Sequence, residues 1–412
     1  MKILIVSSSA TRGSIGSILK ILKDGYESQG HIVKICYGHY KETIKNEWIF
    51  PICKINEFKK AALLTRLTGK EGFYSRNSTK RLFKEIECYK PDIVHLTNVH
   101  AYYLNEYDVF AYLKENNIPT VYSLFDAYAF TGKCPFPLDC RKYQEGCGNC
   151  PQLKEYPKSF FFDRSRFLFN EKRKAYKDFN NLVFVGGVGI IDQAKESKLL
   201  RDHRICLIDE PQDLDHIYYP RDTTELRKKL GIPQDNKVVL AAVPLSAGTE
   251  RKAGYLFLEL YDKMKDIKGY TFIYIGFNTT KYGDPAGMIK VPYINSKDDF
   301  ATYLSLGDVL FFTSSADTTP CTVIDALACG TPVIGFNIDG INCFKIQDKR
   351  IMNVAPIGDV DYVKSIVESL PRKNDDIIKS CRESVYSRFN ATGIVKKYLD
   401  LYNSMINNTY GK

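Results

Sequence analysis

The sequence holds no apolar run that comes near the ~18 residues a membrane-spanning helix needs. It also lacks low-complexity tracts and internal repeats, which excludes repeat arrays and disordered linkers and leaves a globular chain. No P-loop, metalloprotease helix or nucleophile elbow occurs, so the short signatures of those three catalytic classes are missing. Excess positive charge is absent from one half: residues 1–190 carry 29 Lys and Arg against 19 Asp and Glu, whereas the remainder carries 29 against 29. A uniformly basic nucleic-acid binder would not divide its +10 charge this way. One domain facing phosphates or anionic lipid would, and so would chance surface composition. No nucleic-acid partner is expected. The start, MKILIVSSSA, has one Lys and only a short apolar run before it leads into a loop, an amphipathic helix and a second strand. That pattern opposes a signal peptide, and a cytoplasmic location follows as the expectation.

What is present is alternation. Short runs such as KILIVSS, HIVKICY, DIVHLTN, TVYSLF and LVFVGG, then RICLID, KVVLAAV, TFIYIGF, GMIKVPY, DVLFFTS and PVIGFN, are separated by helical patterns. Most are nearly continuous Val, Ile, Leu and Phe, as parallel strands covered on both faces require. At 412 residues one core is too few. The pattern therefore predicts an α/β protein of two doubly wound, Rossmann-like domains, residues 1–200 and 201–385, with a helix over 386–412 that packs back on the first.

One segment concentrates polar chemistry. In DTTPCTVIDALACG, residues 317–330, Thr319 suits a helix N-cap, Pro320 the first helical position and Gly330 the left-handed residue after the end. Asp317 lies in the loop after the strand DVLFFTS, and Asp325 almost two turns into the helix. The carboxyl end of a strand in a doubly wound sheet is where ligands bind. A phosphate suits the helix start, and carboxylates beside it suit hydroxyl pairs, so a sugar on a diphosphate matches the order of groups. The alternative is an ordinary loop aspartate and a solvated helix position.

The same segment, ending in ACGTPV, resembles the C-terminal domain of the retaining glycosyltransferases of family 4, whose fold is GT-B: two Rossmann-like domains with a cleft between them. The resemblance implies that Asp317 holds the donor sugar, that Asp325 holds the ribose hydroxyls, and that Thr318, Thr319, Cys321 and Thr322 surround the diphosphate. The family carries glutamates at both acid positions, so each aspartate has roughly 1.5 Å less reach. Upstream, VVLAAVPLSAGTERKAGYLFLELYDKM is similar to the family's strand, loop and helix that bring a basic pair to the diphosphate. Arg251 and Lys252 are the candidates, and two cations there would neutralise the leaving group. The family's Lys-Gly dipeptide is here Lys252-Ala253-Gly254.

A second segment is rich in cysteine. Cys134, Cys140, Cys147 and Cys150 stand within 17 residues, the last two as Cys-Gly-Asn-Cys before proline. In a cytosolic chain four such thiolates point to a tetrahedral structural zinc, with reduced thiols or redox pairs as the alternatives. The other eight cysteines are scattered and are expected to be small buried apolar residues. Tyr102, Tyr103, Tyr107 and Tyr112 could stack on sugars or simply pack a helix face. His95 and His100 are expected to be structural.

This region, from PDIVHLTNVHAYYLN to GCGNCPQLKEYPKS, is similar to a branch of the same family associated with capsule, exopolysaccharide and O-antigen assembly, whose members keep the cysteine cluster. Where that branch has His-Asp, this chain has Phe125-Asp126. The resemblance implies Asp126, Arg251, Lys252 and Asp317 as catalytic candidates, with Arg12, Gly13, Gly16 and Phe125 as a possible acceptor or diphosphate loop. It implies a hexosyltransferase acting with retention, on a UDP- or GDP-sugar and a lipid-linked or oligosaccharide acceptor. It further implies no catalytic metal, and contact with the anionic inner face of the cytoplasmic membrane. A catalytically impaired relative serving as a scaffold in polysaccharide assembly is the alternative.

Overall fold

The computed structural model describes residues 1–38, 44, 46–243, 250–277 and 284–410. The chain divides into two compact units. One comprises Met1–Pro211 together with the chain from Ile394 onward, and the other comprises Gln212–Gly393.

Among the described residues the first unit holds a seven-stranded sheet: β1 (Lys2–Ser7), β2 (Ile32–Tyr37), β3 (Ile49–Pro51), β4 (Ile93–Leu96), β5 (Thr120–Ser123), β6 (Leu182–Gly186) and β7 (Ile205–Leu207). Every pairing is parallel, in the order β3-β2-β1-β4-β5-β6-β7. Ile3–Val6 of β1 are wholly buried because helices cover both faces. The helix Gly13–Ser28 supplies Ile18, Leu19, Leu22 and Tyr26 at helical spacing to one of them.

The C-terminal helix, Ala391–Tyr410, closes this unit. Its Tyr402 hydroxyl lies 2.8 Å from His95 Nδ1, and its Tyr398 hydroxyl 2.8 Å from Ser123 Oγ. His95 Nε2 in turn meets Ser123 Oγ at 2.7 Å. Burial drives the His95 pKa down to about 3, so the ring stays neutral and acts as a structural link.

The second unit holds a six-stranded parallel sheet among the described residues: β8 (Lys237–Ala242), β9 (Tyr270–Ile275), β10 (Ile289–Val291), β11 (Val309–Phe312), β12 (Val333–Phe336) and β13 (Met352–Ala355), in the order β10-β9-β8-β11-β12-β13. In each sheet the strand order reverses beside the first strand of the unit, between β1 and β4 and between β8 and β11. Loops leaving those two pairs diverge and open a crevice.

Two unexpected features sit at sheet edges. RICLID, grouped by pattern with the second domain, supplies β7 and pairs with β6 of the first sheet. β3 and β13 were not visible as strands, being short edge strands with half-buried positions. No helix among the described residues is long and apolar enough to cross a membrane.

Candidate active site

In the second unit, the loops leaving β8 and β11 are laced together. The turn Glu250–Lys252 follows β8, with residues 244–249 of the family-like loop lying outside the described residues. Ser315 N and Oγ both donate to Arg251 O, at 2.9 and 3.1 Å, and Thr313 Oγ1 donates to Lys252 O at 2.6 Å. These bonds aim two cations at one carboxylate. Lys252 Nζ lies 2.8 Å and Arg251 Nη1 3.4 Å from Asp317 Oδ2, and Arg251 Nη1 also donates to Ala316 O. Ala253 adopts φ +47° directly after Lys252. It occupies the left-handed conformation that glycine takes freely, at the position directly after the lysine where the resembled family has glycine.

The helix expected from Pro320 to Cys329 runs from Cys321 to Ala328, with Pro320 itself at the N-cap position. Pro320 has ψ 106°, outside the helical range, so Thr319 is one residue too early to cap. The Thr319 hydroxyl is buried and has no hydrogen-bond partner among the described residues. Thr318 N donates instead to Asp317 Oδ1 at 3.0 Å. The loop is pressed from behind by Gly340, where a Cβ would stand 2.5 Å from Asp317 O. Thr322 and Lys252 share a cavity of about 80 Å³ with Thr313 and Ser314. Cys321 is half-buried at the helix start.

Asp325 is not a solvated helix position. It is 5% exposed, and its Oδ1 finds no hydrogen-bond partner among the described residues. Burial raises its pKa well above the ordinary carboxylate value, while Lys297 and the Tyr218 hydroxyl pull the other way. A buried acceptor with a spare lone pair is what a ligand's hydroxyl pair can satisfy.

In the first unit the corresponding crevice carries a different set. After β1 the chain turns at Gly13, φ +65°, into its helix. Gly16 is required by space, since a Cβ would lie 2.2 Å from the Thr11 carbonyl carbon. Arg12 is exposed, with its N–H donating to Ser9 Oγ at 3.2 Å.

After β5, Phe125 is half-buried and Asp126 is anchored three times. Asn98 Nδ2 donates to Oδ2 at 3.0 Å, His100 Nε2 lies 2.9 Å from the same oxygen, and Tyr128 N donates to Oδ1 at 2.9 Å. His100, expected to be merely structural, is thus the immediate partner of a candidate catalytic acid. Its other nitrogen lies 2.9 Å from the Tyr156 hydroxyl. Burial alone would lower its pKa, but the Asp126 carboxylate outweighs that and the net shift is upward. Ala101 and Tyr102, immediately after it, both have positive φ, at 87° and 62°. The available signal was topological: NVH follows β4, and β4 neighbours β5.

The zinc expectation is overturned. Among the described residues no group of three or more His, Cys, Asp or Glu is arranged to hold a metal ion. Cys134 and Cys147 are buried, Cys140 and Cys150 half-exposed. Burial pushes the Cys134 thiol up to about 12 and the Cys147 thiol to about 11, so both stay protonated at neutral pH in this structure. Cys147 Sγ accepts from Gly132 N at 3.1 Å. Close spacing in sequence brought the sulfurs near one another without making them converge as ligands. Of the other cysteines, Cys88 is exposed and Cys206 and Cys321 are half-exposed, against the expectation of burial.

No family model matches this chain. WcaC of Escherichia coli (strain K12), named for a glycosyl transferase of colanic acid biosynthesis, is 25% identical over 262 residues, 60% of either chain. N-acetyl-alpha-D-glucosaminyl L-malate synthase of Bacillus anthracis is 23% identical over 198 residues, 46% of this chain and 51% of that one. UDP-Gal:alpha-D-GlcNAc-diphosphoundecaprenol alpha-1,3-galactosyltransferase of Escherichia coli is 29% identical over 117 residues, 27% of this chain and 29% of that one. The chain therefore spans between about a third and three fifths of the curated relatives it matches. Among solved structures, sucrose-phosphate synthase from Thermosynechococcus elongatus superposes with a TM-score of 0.69 at 15% identity, over 99% of this chain and all of the other. Anabaena HepE in complex with UDP-glucose superposes with a TM-score of 0.62 at 13% identity, over 98% of this chain and all of that one. These likenesses establish the fold: two parallel-sheet, Rossmann-like domains of the GT-B type.

Proposed function

We propose that this protein is a glycosyltransferase of polysaccharide assembly, moving a sugar from a nucleoside diphosphate to a glycan acceptor with retention. The observation that carries the proposal is the convergence of Lys252, Arg251 and Asp317 beside the Cys321–Ala328 helix, at the point where β8 and β11 part. A diphosphate entering there takes over the two cations. Asp317, released from them, accepts from hydroxyls of the donor sugar, and Asp325 accepts from the ribose pair. Lys252 and Arg251 then neutralise the departing diphosphate, while a donor phosphate oxygen takes the acceptor's proton.

The acceptor is assigned to the first unit, where Asp126, oriented by His100 and Asn98, offers a carboxylate to a sugar hydroxyl, and where Arg12, Gly13, Gly16 and Phe125 belong to the segments that follow β1 and β5. The names of the relatives support a UDP-sugar donor and a lipid-diphosphate acceptor; an oligosaccharide acceptor and use at the inner face of the cytoplasmic membrane belong to the proposal alone. Phe125, where the resembled branch has a histidine, and the shorter acids Asp317 and Asp325 favour a second reading, a scaffold subunit that keeps the fold without turnover.

Calorimetric titration with UDP, GDP and ADP, followed by an assay of donor hydrolysis without acceptor, tests both. Nucleotide binding with slow release of free sugar supports transfer. Binding without any release supports the scaffold, and no binding to any of the three defeats the donor site.

A further inference from the structure

Exposed aromatic surface is concentrated at one turn of the first unit. Phe160, Phe161 and Phe162 are 51%, 68% and 51% exposed. The turn is held in place: Phe160 N donates to Arg66 O at 2.8 Å, and Ser159 Oγ to Phe162 O at 2.7 Å. A Cβ on Gly69 would lie 2.5 Å from Phe162 O, so the turn is packed against the end of the Ile55–Thr68 helix.

That helix extends the same surface. Its inner face buries Ala61, Ala62 and Thr65. Its outer face presents Ile55, Leu63 and Leu67 interleaved with Lys59, Lys60 and Arg66, and none of its exposed residues is a carboxylate. Glu57 is half-buried on Arg81, and Asp163, beside the phenylalanines, accepts from Ser165 and from Cys150 N. Arg164 stands over the Phe162 ring, 5.5 Å from its centre. Alongside lies a cavity of about 540 Å³ whose walls include Lys60, Lys70 and Arg76.

Large exposed rings beside interleaved cations match the boundary of an anionic bilayer, where rings and aliphatic chains enter the acyl margin and cations meet headgroup charge. We propose that the Phe160–Phe162 turn and the outer face of the Ile55–Thr68 helix dock this protein on a membrane surface containing anionic phospholipid. The imbalance of charge in residues 1–190 supports that occupant. A second copy is disfavoured, because a twofold contact would set Lys59, Lys60 and Arg66 against their own equivalents. The proposal does not depend on the transfer reaction.

Sedimentation of the full chain with phosphatidylcholine vesicles, with and without phosphatidylglycerol, tests it. Salt-sensitive binding only to vesicles with phosphatidylglycerol is expected. The double variant Phe161→Ser, Phe162→Ser should bind about tenfold or more weakly, and Lys59→Glu with Lys60→Glu should lose about fivefold or more per position. Both should keep the wild-type melting temperature and the wild-type UDP affinity. No binding to the anionic vesicles, or binding unchanged in both variants, overturns the proposal. So does a wild-type dimer in sedimentation equilibrium that Phe161→Ser, Phe162→Ser returns to monomer. A wild-type chain that binds UDP but not the anionic vesicles would defeat this surface and leave the donor site standing.

Discussion

His100 Nε2 lies 2.9 Å from Asp126 Oδ2, joining the loop after β4 to the loop after β5. The chain has Phe125 where the resembled branch has a histidine, yet an imidazole still reaches the neighbouring aspartate from the adjacent strand. Both side chains are about nine-tenths buried, so the contact is shielded from solvent.

The pair should be visible by titration. The His100 pKa is raised in the fold, so the contact stabilises most below the ordinary histidine value of about 6.5. That stabilisation fades as pH rises through the folded-state value. Asp126→Asn should lower the His100 titration followed by NMR and cost about 1 to 3 kcal/mol in urea melts under mildly acidic conditions. An unmoved His100 titration would show that Asp126 does not govern it.

Asp325 should trade stability for binding. Its folded pKa lies above the unfolded one, so its burial is tolerated at low pH and becomes a cost as pH rises through the folded value. Asp325→Asn should therefore stabilise the fold at neutral pH by about 1 to 3 kcal/mol. Asp325→Ala should weaken UDP binding by about 1 to 3 kcal/mol. Thermal melts and calorimetry on the two variants check this, and unchanged affinity would reduce Asp325 to packing.

Asp317 and its cations make opposite predictions for binding and turnover. Asp317→Asn frees Lys252 and Arg251, so UDP should bind more tightly by roughly 0.2 to 1 kcal/mol, the worth of a part-exposed ion pair. Sugar release should nevertheless fall. Lys252→Ala should lower release by about 10²–10³ if it stabilises the leaving diphosphate. Equal losses in binding and release for both variants would contradict the exchange of partners.

Prolonged dialysis against a chelator should leave the melting temperature unchanged, because the four clustered cysteines do not converge on an ion. Elemental analysis of the purified protein checks the same point. Stoichiometric metal whose removal lowers the melting temperature would refute it.

Legibility in the sequence tracked burial. β1, β4, β5, β8 and β11 read clearly because central parallel strands must be apolar on both faces. β3 and β13 did not, because an edge strand is three or four residues with one side half-open; RICLID read as a strand, but nothing in it says that the first sheet takes it as β7. Around the donor candidate, spacing placed Asp317 and Lys252 correctly on loops, but not on each other.

The sequence by itself determined two doubly wound sheets and the loops that leave their central strands, since periodic apolar runs and turn residues act locally. Only the tertiary structure decided which side chains meet there. His100 reaches Asp126, Lys252 and Arg251 share Asp317, Asp325 is sealed from water, and the four cysteines do not converge. Each outcome depends on the direction of a side chain across neighbouring strands, which spacing along the chain does not encode.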